Sequence, residues 1–382
     1  MVSEQIEIGG SVETADLKRA LHLFAKVVRE APLIPILDNI LFSFELDELH
    51  LTGSNLITTV FTSIQADGSS TVGKFLLPYR QIKALVSLSP AGKIAFRAVE
   101  SEDVGTEVMV TTEYGEFKFS SLEKIGDYPA LSWSPISHFN IGMDELREGM
   151  KLTRKTVSTD ELRPPLTGIY FDTAEGCIKF ISTDGHKLTK YETSEPAVES
   201  ILPFILPANF ADFVISNTAL KQNAVSFGCL PGAKVVANFG SCVVLVRCID
   251  EFFPNYKAAI PEAFEHAVQL DLAQIKTRIQ LGLLFSNRAT TQMAFVFSNG
   301  RLSLESEDFD YGMKSKQSLE MEQPVPELKI GFNVRFMSTI LAPFSGKVTL
   351  LMSAPNKPAV FIPQAKFGKS VQLLLMPVML MS

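Results

Sequence analysis

The residues able to do chemistry in this chain are few, and their spacing excludes more than it suggests. Thr183-Asp184-Gly185-His186 puts a carboxylate and an imidazole two residues apart, a pairing that serves acid–base catalysis elsewhere. No GxSxG-type nucleophile motif accompanies it, and Asp-Gly is a turn-forming dipeptide. The segment therefore reads as a tight turn with His186 at its rim. The four cysteines, Cys177, Cys229, Cys242 and Cys248, form no CxxC pair and have no histidine at ligand spacing, which argues against structural zinc. They are expected as buried free thiols in a reducing cytosol. With no phosphate loop, metal cluster or triad, an enzyme is the weakest reading, and neither metal nor cofactor is expected.

What remains is charge. Basic residues gather in short segments: Lys18, Arg19, Lys26 and Arg29; Arg80 and Lys83; Arg147, Lys151, Arg154 and Lys155; Lys276, Arg278, Arg288 and Arg335. Acidic residues gather elsewhere: Glu100, Glu102 and Asp103; Glu195 and Glu199; Glu305, Glu307, Asp308 and Asp310. Such runs are usually solvated faces, but clustered ammonium and guanidinium groups also bind phosphates. The whole chain argues the other way. Its 382 residues carry a net charge of -7, from 35 Lys and Arg against 42 Asp and Glu, so composition alone does not suggest a nucleic-acid partner.

At 46% hydrophobic and 20% charged residues the chain is globular, not disordered, and long enough for two or three domains. The first residues, MVSEQIEIGG, lack the character of a signal peptide. The longest apolar tract, Val371 to Met381, is too short to span a bilayer and is broken by Pro377. No membrane segment is expected, and the protein is expected to be soluble and cytoplasmic.

The elements that must position these residues recur three times. Ile40–Phe44, Gly168–Asp172 and Met293–Phe297 are alternating strands, each followed by a turn and a second strand, at steps of 128 and 125 residues. Phe75–Pro78, Phe204–Pro207 and Ile330–Asn333 are strands that run into the short amphipathic helices Tyr79–Val86, Ala208–Ile215 and Val334–Ile340, at steps of 129 and 126 residues. Pro78 and Pro207 suit a first helical position and Asn333 an N-cap. Aromatic-proline pairs, Tyr128-Pro129 and Phe253-Pro254, keep the register, and Leu375-Met376-Pro377 closes the third copy. Each copy opens with a helix: Thr14–Val28, Met143–Arg154 and Leu270–Leu281. The unit of about 127 residues is thus two helices and several strands, an α+β arrangement. Because the basic segments fall on these helices in three equivalent copies, a shared basic surface inside an acidic shell becomes credible.

With the repeat in place, the sequence resembles the bacterial DNA polymerase III beta subunit family, the beta sliding clamps, over essentially its full length. The resemblance is carried by Pro35-Ile-Leu-Asp-Asn39, Leu51-Thr-Gly-Ser-Asn-Leu56, Asp127-Tyr-Pro-Ala-Leu131, Thr183-Asp-Gly-His-Lys-Leu188, Phe253-Pro-Asn-Tyr256 with Ile260-Pro261, Ile330-Gly-Phe-Asn-Val334 and Met376-Pro377 in order. It implies an α+β chain of three repeated DNA-clamp domains, taken here as 1–133, 134–260 and 261–382. Antiparallel sheets would lie outside and paired helices inside a head-to-tail homodimeric ring. It also implies a non-catalytic processivity factor that encircles double-stranded DNA without sequence preference and tethers the replicative DNA polymerase. The clamp loader and other proteins with clamp-binding motifs would be further partners.

The resemblance also implies site residues. A partner-peptide pocket would use Leu166, Thr183, Gly185, His186, Lys187, Leu188, Pro254, Ala259, Ala359, Leu375, Met376, Pro377, Val378, Met379 and Leu380, the exposed methionines suiting several apolar anchors. DNA would meet Arg80 and Arg163, with Arg29, Lys83 and Arg154 on the same basic surface; Ala31 fills the family's arginine position near Arg29. The ring interface would pair Phe117 and Phe119 with Leu284 and Phe285 of a second chain, with Lys118 directed toward Glu305 and Glu307. Two departures stand in one loop: Pro164-Pro165 replaces aromatic residues, and Asp160 replaces an uncharged one, which predicts weaker or relocated DNA contact there. The alternative reading is a clamp-like paralogue or scaffold that recruits partners without being the main replicative clamp.

Overall fold

The computed structural model describes residues 7–28, 34–101, 105–121, 123–129, 137–174, 176–196, 201–321, 323 and 327–380. Among them the six predicted helices form: α1 (Thr14–Leu23), α2 (Tyr79–Leu88), α3 (Met143–Thr153), α4 (Ala208–Ser216), α5 (Leu272–Leu283) and α6 (Val334–Leu341). Two are capped by side chains, one by Asn333 as expected and one by Asp271, a residue inside the expected helix Leu270–Leu281. Asn333 Oδ1 accepts from the Phe336 N–H at 3.1 Å, and Asp271 Oδ1 accepts from the Gln274 N–H at 3.0 Å. Three features differ from expectation. Helix α1 stops at Leu23 and tightens into a 3-10 turn, Phe24–Lys26. Each repeat opens on a strand rather than a helix: Glu7–Glu13, Ser137–Gly142 and His266–Asp271. Pro78 and Pro207 do not stand inside their helices but end the preceding strands, paired with Asn39 and Gly168. Both are on edge strands, where a residue without an N–H breaks no ladder.

Each repeat splits its strands between two sheets. In the second repeat the opening strand and the last three strands form one half-sheet and the four strands between them form the other; the first repeat adds Asp67–Thr71 beside its opening strand, and the third adds Pro377–Val378 beside Leu328–Asn333. The last strand of the second repeat, Cys242–Arg247, pairs antiparallel with Thr58–Gln65, the third strand of the first repeat's middle half. The result is an eight-stranded sheet. One repeat later the same join recurs: Ser370–Leu375 pairs with Lys187–Pro196, giving a second eight-stranded sheet. Two five-stranded sheets remain. One ends in Gly115–Ser121 and the other in Met313–Glu320. The middle repeat therefore shares its strands between two compact units, 1–143 with 209–248 and 144–208 with 249–382. The position 133/134 taken as a boundary lies outside the described residues.

Aromatic side chains fill each unit. In the first, the rings of Phe42, Phe44, Phe75 and Phe96 lie 5.5–6.1 Å apart, under Leu17 and Leu21 of α1 and Ile82 and Val86 of α2. In the second, Phe171, Phe180, Tyr191 and Phe204 stack beneath α3. Gly149 lets that helix approach closely, since a Cβ there would stand 2.3 Å from the Phe180 ring. Cys177, Cys242 and Cys248 are buried free thiols as expected, and burial pushes the Cys242 thiol up to about 12; Cys229 is only half-buried.

The aromatic-proline landmarks turn out to be hydrogen-bonded latches. Tyr128 Oη donates to the Asn39 and Thr52 carbonyls at 3.3 and 3.1 Å. Three residues past Phe253, Tyr256 Oη donates to Asp172 Oδ2 at 2.6 Å. Burial opposes ionisation of Asp172, but the Tyr256 hydroxyl, the Ala174 N–H and the charges of Lys179 and Lys257 hold its carboxyl below the usual range. Replacing Tyr256 with Phe is expected to lower stability by about 1–3 kcal/mol in urea titration. Because Asp172 is held low in the folded state, that difference should persist above about pH 4 and shrink as pH falls through the folded-state value. A pH-independent difference would contradict the latch.

Candidate functional site

The turn between Cys177–Thr183 and Lys187–Pro196 is built by its own side chains. Asp184 Oδ1 accepts the N–H groups of His186 and Lys187, both at 2.9 Å, and Gly185 takes φ +91°. Thr183 Oγ1 donates to the Lys187 carbonyl at 2.8 Å and accepts from the Gly185 N–H at 3.1 Å. The Lys187 ammonium is paired with Asp184 and lies 4.9 Å above the Phe336 ring of α6. Burial opposes the Asp184 charge, yet Lys187 and the two amides hold its carboxyl below the ordinary range. All of this leaves His186 exposed, its ring stacked on Phe336 at 5.7 Å.

The chain's last described segment runs past this turn. Leu375 ends a core strand, the Met376 N–H donates to the His186 carbonyl at 2.8 Å, and Pro377 and Val378 pair with Phe332 and Gly331. Gln292 Nε2 donates to the Met379 carbonyl at 2.7 Å. Between turn, tail and α6 lies a groove of about 410 Å³, lined by His186, Asn333, Phe336 and Met376 through Met379, with Thr290 and Gln292 at its side. Met376 is 37% and Met379 89% exposed.

The other expected pocket residues sit elsewhere. Leu188, Ala359, Leu375 and Leu166 are buried; Leu188 packs with Ile181, Tyr256, Val360 and Leu374. Pro254 and Ala259 are exposed but do not line this groove, and Leu380 lies on the far side of the tail, in a separate hollow with Glu305 and Phe309. Phe336, Thr290 and Gln292 were not anticipated, and Asn333 was read only as a cap. They lie over a hundred residues from His186 in sequence, so only packing brings them to it.

The basic residues are in varied states. Arg80 is exposed, Lys83 lies 5.1 Å above the Tyr79 ring, Arg154 is half-buried, and Arg29 lies outside the described residues. Arg163 Nε donates to Asp160 Oδ2 at 2.8 Å, and that bond, with the Leu162 N–H, holds the Asp160 carboxyl down. Pro164 and Pro165 begin a 3-10 turn, Pro164–Thr167, and the Arg163 guanidinium lies beside Gly185. Lys276 is spent inside the fold, donating to the Ala342 carbonyl at 3.0 Å and to that of Phe344. Asp308, expected on an acidic surface, is 1% exposed.

On the edge strand Gly115–Ser121, Phe117 is 37% exposed and Phe119 half-buried; they oppose the core residues Val110 and Val108. Leu281, Leu284 and Phe285 are exposed at the end of α5. The charges expected to meet across chains are paired within the chain: Lys118 with Glu107 at 2.6 Å, Lys316 with Glu305 at 2.8 Å and Lys314 with Glu307 at 3.3 Å.

Two family descriptions match the sequence. The DNA polymerase III beta subunit N-terminal domain matches residues 10–132, and the C-terminal domain of the same subunit matches 257–379, together well over half of the chain. The chain belongs to the DNA polymerase III beta subunit family. The beta sliding clamp of Synechocystis is 24% identical over 391 aligned positions, which cover 96% of this chain and 98% of that protein. The Chlamydia trachomatis beta sliding clamp is 25% identical, covering 85% and 77%. Among solved structures, the Pseudomonas aeruginosa DNA polymerase III subunit beta superposes with a TM-score of 0.88 at 22% identity, covering 97% of this chain and all of that one. The Caulobacter crescentus beta sliding clamp also reaches 0.88, at 24% identity. The fold is the three-domain α+β clamp fold, and the protein is a DNA sliding clamp, a non-catalytic member of its polymerase system. Among the described residues no helix is long and apolar enough to cross a membrane.

The turn beside the groove predicts a graded response. Asp184→Asn keeps an oxygen for the amides but loses the ion pair, whereas Asp184→Ala loses both. Thermal or urea unfolding should place Asn between wild type and Ala, with Ala costing about 1–3 kcal/mol. Equal effects would mean the turn does not depend on those bonds.

Proposed function

We propose that two chains close head to tail into a six-domain ring that encircles duplex DNA in the cytoplasm, each chain dividing at 1–133, 134–260 and 261–382. The observation that carries this is the repeated sheet join. Twice within the chain, the last strand of one repeat pairs with the third strand of the preceding repeat's middle half. The strands at those two positions that lack such a partner within the chain are Gly115–Ser121 and Met313–Glu320. Pairing them between copies continues the rule and covers these two edges, and a heterologous contact of this kind closes when its rotation divides the circle. The apolar residues beside the edges, Phe117 and Phe119 on one and Leu284 and Phe285 near the other, suit burial against each other.

Within such a ring the basic helix residues Arg80, Lys83 and Arg154, and Arg29 by sequence, would face DNA through phosphate contacts that carry no sequence preference. The groove beside His186 would take an apolar anchor from a short segment of the replicative polymerase, the clamp loader or another clamp-binding protein, with Met376 and Met379 as its adaptable wall. Leu166, Thr183, Lys187, Leu188, Pro254, Ala259, Ala359 and Leu375 would support or extend that site. The Arg163–Asp160 pair favours a second reading, a clamp-like scaffold that recruits partners but is not the main replicative clamp.

Light scattering after size exclusion should give a dimer mass, and Leu284→Asp with Phe285→Asp should give a folded monomer. A wild-type monomer at micromolar concentration would refute the ring. On primed circular DNA with cognate polymerase and loader, the wild type should lengthen products; no gain would favour the scaffold. Met376→Ala with Pro377→Ala should weaken peptide binding at least tenfold and leave the dimer intact. Asp160→Asn should free Arg163 and tighten duplex binding a few-fold at low salt; an unchanged affinity would show that Arg163 does not reach DNA.

A further inference from the structure

Helix α3 carries two glutamates that bond backbone amides. Glu145 Oε2 accepts the Ser194 N–H at 2.7 Å. Glu148 divides its carboxylate between two successive amides, Oε1 accepting from Lys366 at 3.2 Å and Oε2 from Phe367 at 2.6 Å. Those amides belong to the loop 364–369 between the strands Ala359–Pro363 and Ser370–Leu375. The loop is tied again at its far end. The Lys369 N–H donates to the Glu192 carbonyl at 2.9 Å, and Ser370 Oγ donates to Glu192 Oε2 at 2.6 Å. At Gly368, φ is +75° and a Cβ would stand 2.5 Å from the Glu192 carbonyl oxygen, so the loop lies flat against its neighbouring strand.

The consequence is a fixed loop that carries exposed lysines, the Lys366 ammonium lying 5.1 Å above the Phe367 ring. Lys366 and Lys369 are exposed, as is Lys151 on α3; burial pushes the Glu148 carboxyl up, opposed in part by the Phe367 and Lys366 amides and by the charges of Lys366 and Lys151. We infer that loop 364–369 is a phosphate-contacting element, in which Lys366 and Lys369 extend the basic face of α3 onto the DNA backbone and Glu148 is the positioning residue. This rests on the proposed DNA contact through the helices. Two separate oxygens receive two separate amides, so glutamine cannot replace Glu148: its NH2 would face a donor.

The test is the salt dependence of affinity for a duplex oligonucleotide, read by fluorescence anisotropy on the full-length protein. Lys366→Ala with Lys369→Ala should leave dimer mass and melting unchanged and lower the slope of log K against log salt by about 1–2. Glu148→Gln should lower the slope as well, although it removes a negative charge, and should speed hydrogen exchange at the Lys366 and Phe367 amides. An unchanged slope in the double variant overturns the contact. Tighter binding by Glu148→Gln, as loss of a negative charge alone would give, overturns the positioning role. Absence of salt-dependent duplex binding in the wild type would sink the DNA contact itself, and this inference with it.

Discussion

Everything in this chain depends on what happens at the edge of a sheet. A strand with one side unpaired exposes a row of N–H and C=O groups that must find partners or water. Here the repeats solve the problem by lending edges to one another. Cys242–Arg247 completes a sheet begun by the first repeat, and Ser370–Leu375 completes one begun by the second. The domain of the sequence and the packing unit of the structure are therefore different objects. A repeat of about 127 residues is the unit of duplication; each compact unit holds one joined eight-stranded sheet and one five-stranded sheet with their helices. The middle repeat belongs to both units because Cys242–Arg247 joins a sheet of the first repeat and Lys187–Pro196 joins one of the third.

The division explains what could be read beforehand. Elements whose signal is local were legible: α2, α4 and α6 follow strands that end at Pro78, Pro207 and Asn333, and the Asp184-Gly185 turn satisfies its own amides. The opening strands were missed because Glu7–Glu13 holds Gly9 and Gly10 where alternation would show, and Gly142 ends its counterpart. The prolines were misplaced by one element for an instructive reason. A proline suits the start of a helix, but it also suits an edge strand, and only the sheet order decides between them.

The groove was legible by halves. Its turn and tail lie in short continuous segments with distinctive chemistry, so His186 and Met376 through Met379 could be named in advance. The wall of Phe336, Thr290 and Gln292 is contributed by the third repeat, as the tail is, while the turn belongs to the second, and it carries no local mark. An aromatic at the third position of a helix looks like core. It becomes a groove wall because α6 is short and because the Lys187 ammonium and the His186 ring occupy the space above it.

Charge was the least legible property, because a side chain's charge acts outward only if nothing inside the fold uses it. Lys276 holds carbonyls beyond the end of α6, and Arg163 holds Asp160, so neither is the free cation its position in a basic run suggests. The reverse holds for α3. Glu145 and Glu148 spend oxygens on backbone amides, while Lys151 and, just past the helix, Lys155 are exposed. A net charge of -7 is thus an average over groups of unequal reach. An acidic chain can hold a phosphate-facing surface when its carboxylates are the groups that bind the fold together.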